Sequence, residues 1–105
     1  FGDHFAQKLL MAEELELFYK NKNPIRFLGM RFAAKEAIVK SMGTGFSKGI
    51  WIKDVGIKNL KSGKPITIFS DRGLKKLEKL DINDIQISLS DEAGLVMAFC
   101  IAIKN

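Results

Sequence analysis

Apolar residues recur at helical spacing over the first twenty residues and again from residue 25. Over residues 3–20 they can share a broad stripe with glutamates between them, which predicts an amphipathic helix. Asn23 precedes Pro24, and a residue before proline is disfavoured in the helical region, so we expect a break over residues 21–24. Pro24 can begin the next helix, because the first turn does not need its N–H group.

The second helix, residues 25–42, is apolar around nearly its whole circumference. Its apolar residues are Ile25, Phe27, Leu28, Met30, Phe32, Ala33, Ala34, Ala37, Ile38, Val39 and Met42. Such a helix is typically buried on all sides, and a chain of 105 residues has little room to surround one. The pattern therefore predicts that a sheet wraps around this helix or that the protein is an oligomer. Gly43 is predicted to end the helix as a left-handed cap.

The next part of the chain has strand and turn signals. Residues 51–59 are rich in β-branched side chains, and residues 61–65 have the composition of a turn. The short apolar run 66–69 returns as a strand, so these segments predict a hairpin. Residues 71–80 predict a short amphipathic helix, with Leu74 and Leu77 facing inward and basic side chains facing outward.

A second hairpin is predicted near the end of the chain. Residues 85–90 alternate between apolar and polar, as in a half-buried strand, and residues 91–94 are predicted to turn. The run 95–103 is apolar on both faces, which predicts a central strand. The order of elements predicts an α+β fold in which an antiparallel sheet packs around a long buried helix. We expect one domain over residues 1–105.

Composition narrows the classes of partner. The net charge of +5 favours anionic partners: nucleic acid, phosphorylated small molecules or an acidic protein. The single cysteine, Cys100, excludes an intrachain disulfide, which fits a reducing cytoplasm, and it is predicted to be a small buried hydrophobe. No apolar run is long enough to span a bilayer, and no signal-peptide pattern is visible. We therefore expect a cytoplasmic protein with no membrane partner.

Four charged residues interrupt the apolar second helix. Glu36 and Lys40 lie one turn apart on one face, and Arg31 and Lys35 do the same on another. The Glu36–Lys40 pair can be an ordinary helix salt bridge, worth about 0.3–0.5 kcal/mol at a surface. Alternatively, because charges on a buried helix must be paired, ligated or exposed to a cleft, they can form a site. A glutamate there suits Mg²⁺, and a lysine supplies a positive charge to a phosphate.

Other polar motifs are less specific. Gly43-Thr44-Gly45 follows a helix instead of opening one, so capping is favoured over a phosphate loop. The segment 62–65 can present Lys64 and N–H groups to an anion, or be a simple turn. Asp91 can be a base, a polar clamp or a turn residue. His4 is predicted to lie on the surface. With no His/Cys cluster or Ser–His–Asp set in the sequence, zinc chemistry and histidine-based acyl transfer are not expected.

One signature is specific to a family. The run Arg31-Phe32-Ala33-Ala34-Lys35-Glu36-Ala37, followed by Lys40 and then Gly43-Thr44-Gly45, closely resembles the signature of holo-[acyl-carrier-protein] synthases. The Gly63-Lys64-Pro65 turn and a closing hairpin at 87–92 follow in the family's order. The resemblance covers essentially the whole chain.

The resemblance implies an activity and a set of site residues. The family transfers 4'-phosphopantetheine from coenzyme A to a serine of apo acyl carrier protein, releases adenosine 3',5'-bisphosphate, uses Mg²⁺ and forms homotrimers with active sites between subunits. Its role is in cytoplasmic fatty acid biosynthesis. By this resemblance Glu36 is a metal ligand, and Lys40 lies near the transferred phosphate. Arg31 and the Gly63-Lys64-Pro65 turn match the region that holds coenzyme A, and Asp91 completes the catalytic set. The basic charge fits both an anionic cofactor and an acidic carrier protein.

The sequence departs from the family's pattern in two places. Many members carry histidine where Asp91 stands, and an aspartate there resembles a recognised subgroup. Members also begin with a Gly-x-Asp-Ile-like strand ahead of the position of Phe1, and that segment, missing from this sequence, carries the second Mg²⁺ carboxylate.

Two other functions are considered. The missing segment favours a truncated relative that only binds a carrier protein or assists assembly. The positive charge suggests a nucleic-acid-binding protein, but the sequence lacks a basic recognition helix and an aromatic stacking platform. Nucleic acid is therefore not an expected partner.

Overall fold

The computed structural model describes residues 2–92 and 95–104. In chain order the elements are α1 (Gly2–Leu9), α2 (Ala12–Lys20), α3 (Pro24–Met42), β1 (Val55–Asn59), β2 (Pro65–Phe69), α4 (Asp71–Lys79), β3 (Ile82–Glu92) and β4 (Leu95–Lys104). The strands form two antiparallel hairpins, β1–β2 and β3–β4. The α+β class predicted from the sequence is confirmed.

The single helix predicted over residues 3–20 is two helices. The chain leaves helical geometry at Leu10 and Met11, where Met11 has φ −67° and ψ 160°. The Glu14 carboxylate accepts a hydrogen bond from the Met11 N–H at 3.1 Å, and so satisfies a donor that the start of α2 would otherwise leave free. The break went unpredicted because Met11 is not a residue that usually caps a helix.

The long helix α3 lies where the pattern predicts, but it is not buried on all sides. Asn23 caps its start by accepting from the Arg26 N–H at 3.3 Å, and Gly43 (φ 80°) ends it. The hairpins and the first two helices cover only part of its circumference. Ile25 therefore remains 76% exposed and Phe32 40% exposed. The buried stripe consists of Phe27, Leu28, Arg31, Ala34, Lys35, Ile38, Val39 and Met42.

The hairpins lie side by side rather than forming one continuous ladder. Between them, the Thr67 hydroxyl of β2 donates to the Ile85 carbonyl of β3 at 3.1 Å. Among the described residues β4 pairs only with β3, so the predicted central position of the run 95–103 was wrong. One apolar face of β4 is turned towards α3, while the other is exposed. The predicted turn at 91–94 was wrong for residues 91 and 92, because β3 continues to Glu92; residues 93 and 94 lie outside the described chain.

The helix α4 presents Gly73 and Leu77 to the core, and Leu74 is 53% exposed. The helix backbone approaches so closely that a Cβ at Gly73 would lie 2.6 Å from the Asp54 carbonyl oxygen. Gly73 and Leu77 define the inward stripe, and Leu74 lies about 100° around the helix axis from Gly73 and about 60° from Leu77, at the edge of that stripe. The predicted inward orientation was therefore right for Leu77 and wrong for Leu74.

A buried charge network joins α2, α3 and β1. The Glu14 carboxylate, fully buried, lies 2.6 Å from the Lys35 ammonium and 3.9 Å from the Arg31 guanidinium. It also accepts the Ile57 N–H at 3.1 Å. Burial lowers the pKa of both Lys35 and Arg31 from their ordinary values, and the negative charge of Glu14 opposes that shift. This is the best-connected group of charges in the described chain.

Backbone carbonyls complete the network, which holds two cations for one carboxylate. Lys35 donates to the Ile52 carbonyl at 3.2 Å and also to the Val55 carbonyl, so its three N–H donors have three acceptors. Arg31 donates to the Ile57 carbonyl at 2.5 Å and lies 4.7 Å from the centre of the Phe27 ring. The second positive charge is thus accommodated by carbonyl dipoles and an aromatic face.

A second buried carboxylate holds the 3₁₀ turn Ile52–Asp54 against α4. Asp54 accepts from the Trp51 N–H at 2.8 Å, the Ser70 hydroxyl at 2.7 Å and Arg72 Nε at 3.0 Å. The turn occupies residues that the sequence predicted as strand, and β1 begins only at Val55. Burial alone would raise the pKa of Asp54, but these hydrogen bonds and the Arg72 charge lower it below its ordinary value of 3.8.

Removal of the Lys35 ammonium is expected to destabilise the protein strongly. Lys35→Met leaves the Glu14 carboxylate buried without its nearest cation, and breaking a buried pair in this way costs about 3–5 kcal/mol of unfolding free energy. Urea unfolding should show this loss, and Glu14→Gln combined with Lys35→Met should recover part of it. A loss below about 1 kcal/mol in the single variant would contradict a buried ionised Glu14.

The contribution of Asp54 to the free energy of unfolding is expected to depend on pH. Because its folded pKa lies below the unfolded value of 3.8, the stabilisation is fully present above pH 3.8 and is lost as the pH falls through the lower folded pKa. The difference in unfolding free energy between the wild type and Asp54→Asn should therefore be constant near neutral pH and shrink in that acidic range. Denaturant titrations at several pH values test this, and a difference independent of pH would refute it.

Candidate functional site

The face of α3 that points away from the charge network carries Glu36 and Lys40. Glu36 is half-buried and Lys40 is exposed. Within the described residues neither side chain makes a hydrogen bond or an ion pair, so the predicted alternative of an ordinary salt bridge between them is wrong. Being one helical turn apart, they offer a carboxylate and an ammonium to the same volume of solvent.

Arg31 lies on a different face of the same helix. Five residues separate it from Glu36, which corresponds to about 140° around the helix axis. Its guanidinium borders a cavity of about 570 Å³, whose other walls include Lys58 and Asn59 at the end of β1. Within one chain, helical geometry therefore does not direct Arg31 and Glu36 to one point. The role of Arg31 in holding coenzyme A stays a prediction.

The segment Gly43-Thr44-Gly45 caps α3, as predicted. The N–H groups of Thr44 and Gly45 both donate to the Val39 carbonyl at 3.2 Å, and Gly43 takes up the left-handed conformation. The Thr44 hydroxyl, itself buried, donates to the Gly45 carbonyl at 2.8 Å. These groups satisfy the end of α3, which places Lys40 in the last turn of the helix.

The turn at 60–64 joins β1 to β2 and is a hairpin loop. The Leu60 N–H donates to the Lys64 carbonyl at 2.9 Å, and Gly63 has φ 91°, a left-handed conformation that favours glycine. Lys64 is exposed, and together with Pro65 it borders a cavity of about 330 Å³ between β2 and β3. The predicted turn is confirmed, while its contact with an anion stays a prediction.

Asp91 lies near the opposite end of α3 from Lys40. It is on β3, opposite Val96 of β4, and its carboxylate forms an ion pair with Arg26 in the first turn of α3. Ten residues of helix separate Arg26 from Glu36, about 15 Å along the axis. Asp91 is therefore a strand residue with a cationic partner, and the turn role considered for it is wrong.

Sequence reasoning missed Glu14 and understated Lys35. The signal for Lys35 was available, because a lysine inside the apolar stripe of a helix requires a buried partner. Glu14 gave no such signal, since Glu13 and Glu16 surround it with residues of the same type that are exposed. Its position is fixed only when β1 approaches α2.

Apolar side chains are exposed at two places that matter for assembly or binding within the described residues. The outer face of β4 presents Leu95, Met97, Phe99, Ile101 and Ile103, each between 40% and 65% exposed. Cys100 points to the other face and is half-buried, and burial raises the pKa of its thiol to about 11. A second apolar surface is a groove of about 680 Å³ between α1, the end of α2 and the start of α3.

His4 is exposed, as predicted.

Within 2–92 and 95–104, no three His, Cys, Asp or Glu side chains are grouped so that they could hold a metal ion. None of the helices there has the length and apolar character needed to cross a bilayer. Glu36 offers a single carboxylate, and Mg²⁺ is commonly held by one or two carboxylates together with water and substrate phosphates.

Comparison with known sequences places the chain in a family. The profile of the 4'-phosphopantetheinyl transferase superfamily matches residues 1–100. A holo-[acyl-carrier-protein] synthase of Vibrio cholerae is 41% identical over 97 residues, which are 92% of this chain and 77% of that protein. The enzyme of the same name from Buchnera aphidicola is 41% identical over 104 residues, covering 99% of this chain and 82% of that protein.

Solved structures agree with the sequence comparison. The holo-[acyl-carrier-protein] synthase of Neisseria meningitidis superposes with a TM-score of 0.92 at 38% identity, over 99% of this chain and 83% of that one. The synthase of Bacillus anthracis, solved in complex with coenzyme A (3',5'-ADP), gives 0.79 at 28% identity, over 98% and 83%. Fold, signature and sequence identity agree, and the chain belongs to the 4'-phosphopantetheinyl transferase superfamily, among the holo-[acyl-carrier-protein] synthases.

Proposed function

We propose that this protein transfers 4'-phosphopantetheine from coenzyme A to a serine of apo acyl carrier protein, giving holo acyl carrier protein and adenosine 3',5'-bisphosphate. The observation that carries the proposal is the division of charges on α3. Arg31 and Lys35 are in the buried network, whereas Glu36 and Lys40 are directed outward without a partner among the described residues. An unpaired carboxylate and ammonium, one turn apart in a family signature, suit a phosphoryl-transfer site.

The proposed chemistry assigns each group a task. The serine oxygen forms a bond to the phosphorus attached to pantetheine, and the bond from that phosphorus to the bridging oxygen of the leaving nucleotide breaks. Lys40 is placed to stabilise the negative charge that develops on the phosphoryl oxygens. Glu36 supplies a hard oxygen ligand for Mg²⁺, which when bound neutralises pyrophosphate charge. Asp91 is proposed to accept the serine proton or to orient the serine.

Coenzyme A is proposed to be held by several basic or turn residues. Lys40 serves its phosphates as well as the transition state. Arg31, which is buried but borders the cavity at the end of β1, and the Gly63-Lys64-Pro65 turn are proposed to complete the contacts. Lys64 is exposed at the tip of the β1–β2 hairpin and can present a positive charge to an anion. The net charge of +5 favours the approach of both coenzyme A and an acidic carrier protein.

The site is proposed to form between subunits of a homotrimer. Within one chain, about 15 Å of helix separates the Asp91 partner Arg26 from Glu36, so a single copy does not gather the whole catalytic set. The exposed apolar face of β4 supports self-association, because isolated monomers rarely leave such a patch uncovered. We also propose that the protein acts in the cytoplasm, in fatty acid biosynthesis.

Glu36→Gln and Lys40→Ala are each expected to lower kcat by about 10²–10³-fold, since each removes a charge that acts on the transition state. The protein should be expressed from its complete reading frame and assayed for Mg²⁺-dependent release of adenosine 3',5'-bisphosphate. Glu78→Gln and Lys79→Ala, exposed residues of the same types on α4, serve as matched controls. Near-wild-type turnover in both site variants would refute the assignment, and absence of release from the wild type would favour a non-catalytic binding module.

Phe99→Glu is expected to disrupt the oligomer, because it places a carboxylate in the centre of the apolar face of β4. Light scattering should give three times the mass of one chain for the wild type and a lower mass for the variant. Leu74→Glu, a similarly exposed apolar residue on α4, should leave the mass unchanged. A monomeric wild type at micromolar concentration would contradict the trimer.

A further inference from the structure

The roll of α3 about its own axis decides where Glu36 and Lys40 point. Lys35 and Glu36 are consecutive, so their side chains leave the helix about 100° apart. At an outer radius of about 6 Å, a roll of about 10° moves a carboxylate by about 1 Å. Displacements of this size, even when they originate away from the chemistry, can cost about 10²-fold in rate.

The inward contacts of Lys35 restrict that roll. Its ammonium is bound by the Glu14 carboxylate at 2.6 Å and by the carbonyls of Ile52 and Val55. Hydrogen bonds are directional, whereas burial of the neighbouring apolar residues is not. All three donors of Lys35 are in use and its side chain is fully buried, so a roll of the helix would lengthen or break these contacts.

Glu14 in turn is held from three sides. Its two oxygens accept N–H groups from Met11 and Ile57, both at 3.1 Å, in addition to contacting Lys35. The approach of β1 is close, because a Cβ at Gly56 would lie 2.8 Å from the Glu14 carboxyl carbon and 2.7 Å from the Met11 sulfur. Because the Glu14 carboxylate contacts all three elements, a shift of α2 or β1 would move the Lys35 ammonium and with it α3.

We infer that Glu14 and Lys35 are positioning residues for the reaction: their buried pair fixes the roll of α3 and thereby the place of the Glu36 carboxylate and the Lys40 ammonium. This rests on the proposed function of Glu36 and Lys40. Neither residue of the pair touches substrate, since both are fully buried.

The test is Glu14→Gln, which keeps the shape of the side chain and removes its charge. In folded protein we expect kcat to fall about 10–100-fold with the KM for acyl carrier protein nearly unchanged. We also expect Mn²⁺, a paramagnetic substitute for Mg²⁺, to bind about ten-fold more weakly in the presence of coenzyme A, as measured by electron paramagnetic resonance. Gly56→Ala keeps every charge but displaces the Glu14 carboxylate. It should therefore also lower kcat and weaken Mn²⁺ binding.

The control is Leu77→Ala, which creates a cavity in the core beneath α4 and lowers stability without touching the charge network. All variants are compared at temperatures that give equal folded fractions. A purely structural role predicts that kcat and Mn²⁺ binding follow stability, so that Leu77→Ala and Glu14→Gln behave alike. That result would overturn the inference, as would a folded Glu14→Gln with kcat and Mn²⁺ affinity within about two-fold of the wild type. If Glu14→Gln does not fold, the same comparison is made with Gly56→Ala.

The outcomes separate this inference from the proposed function. If the wild type releases no adenosine 3',5'-bisphosphate, the proposed function fails, while Mn²⁺ binding by Glu14→Gln still tests the positioning of Glu36. If the wild type is active and Glu14→Gln retains its Mn²⁺ affinity and kcat, only the positioning inference fails.

Discussion

The burial of the Glu14 carboxylate is the constraint on which the rest of the structure depends. Removing an ion from water costs several kcal/mol even after relaxation, so a buried carboxylate must be surrounded by donors. Here those donors come from three elements: the Met11 N–H before α2, the Lys35 ammonium on α3 and the Ile57 N–H on β1. Because the donors must meet at one point, the relative positions of these three elements are specified, whereas apolar packing alone would tolerate several arrangements.

The same constraint gives α3 two functions. Its inward stripe closes the core with Ile38 and Val39 and satisfies the buried charge with Arg31 and Lys35. Its outward face leaves Glu36 and Lys40 unpaired within the described chain, which is why we propose that they act on a ligand. A helix that anchors its inner charges on a rigid core can present the outer ones accurately, which is what phosphoryl transfer needs when catalysis depends on position and charge.

The described chain leaves one apolar strand face uncovered. The outer face of β4 has the composition of a core strand and no covering element among the described residues. Such a face is a liability in an isolated monomer and a natural contact between copies. Asp91 lies on the same hairpin, so in the proposed trimer a contact through this hairpin would bring the Asp91 of one copy towards the Glu36 of another.

The sequence by itself determined the α+β class, the order of the two hairpins and the long helix, and the bounds of α3. Periodicity located α3 within a residue, Asn23 and Gly43 marked its ends, and the signature on α3 identified Glu36 and Lys40 as the residues of interest. These features are local: a helix and its caps depend on residues within a few positions of each other. The outward direction of Glu36 follows from the same periodicity once the buried stripe is known.

Tertiary structure decided what depends on residues far apart in the chain. Hydrophobicity alone could not distinguish a central strand from one with an exposed apolar face, so β4 was misplaced. The partner of Lys35 is 21 positions away, and Glu14 looks no different in sequence from the exposed Glu13 beside it. Asp91 pairs with Arg26 because the end of β3 lies beside the first turn of α3. Periodicity predicts which side of an element is apolar. It does not predict the partner of a buried charge, because a charge removed from water must pair with whichever group the packed elements bring next to it.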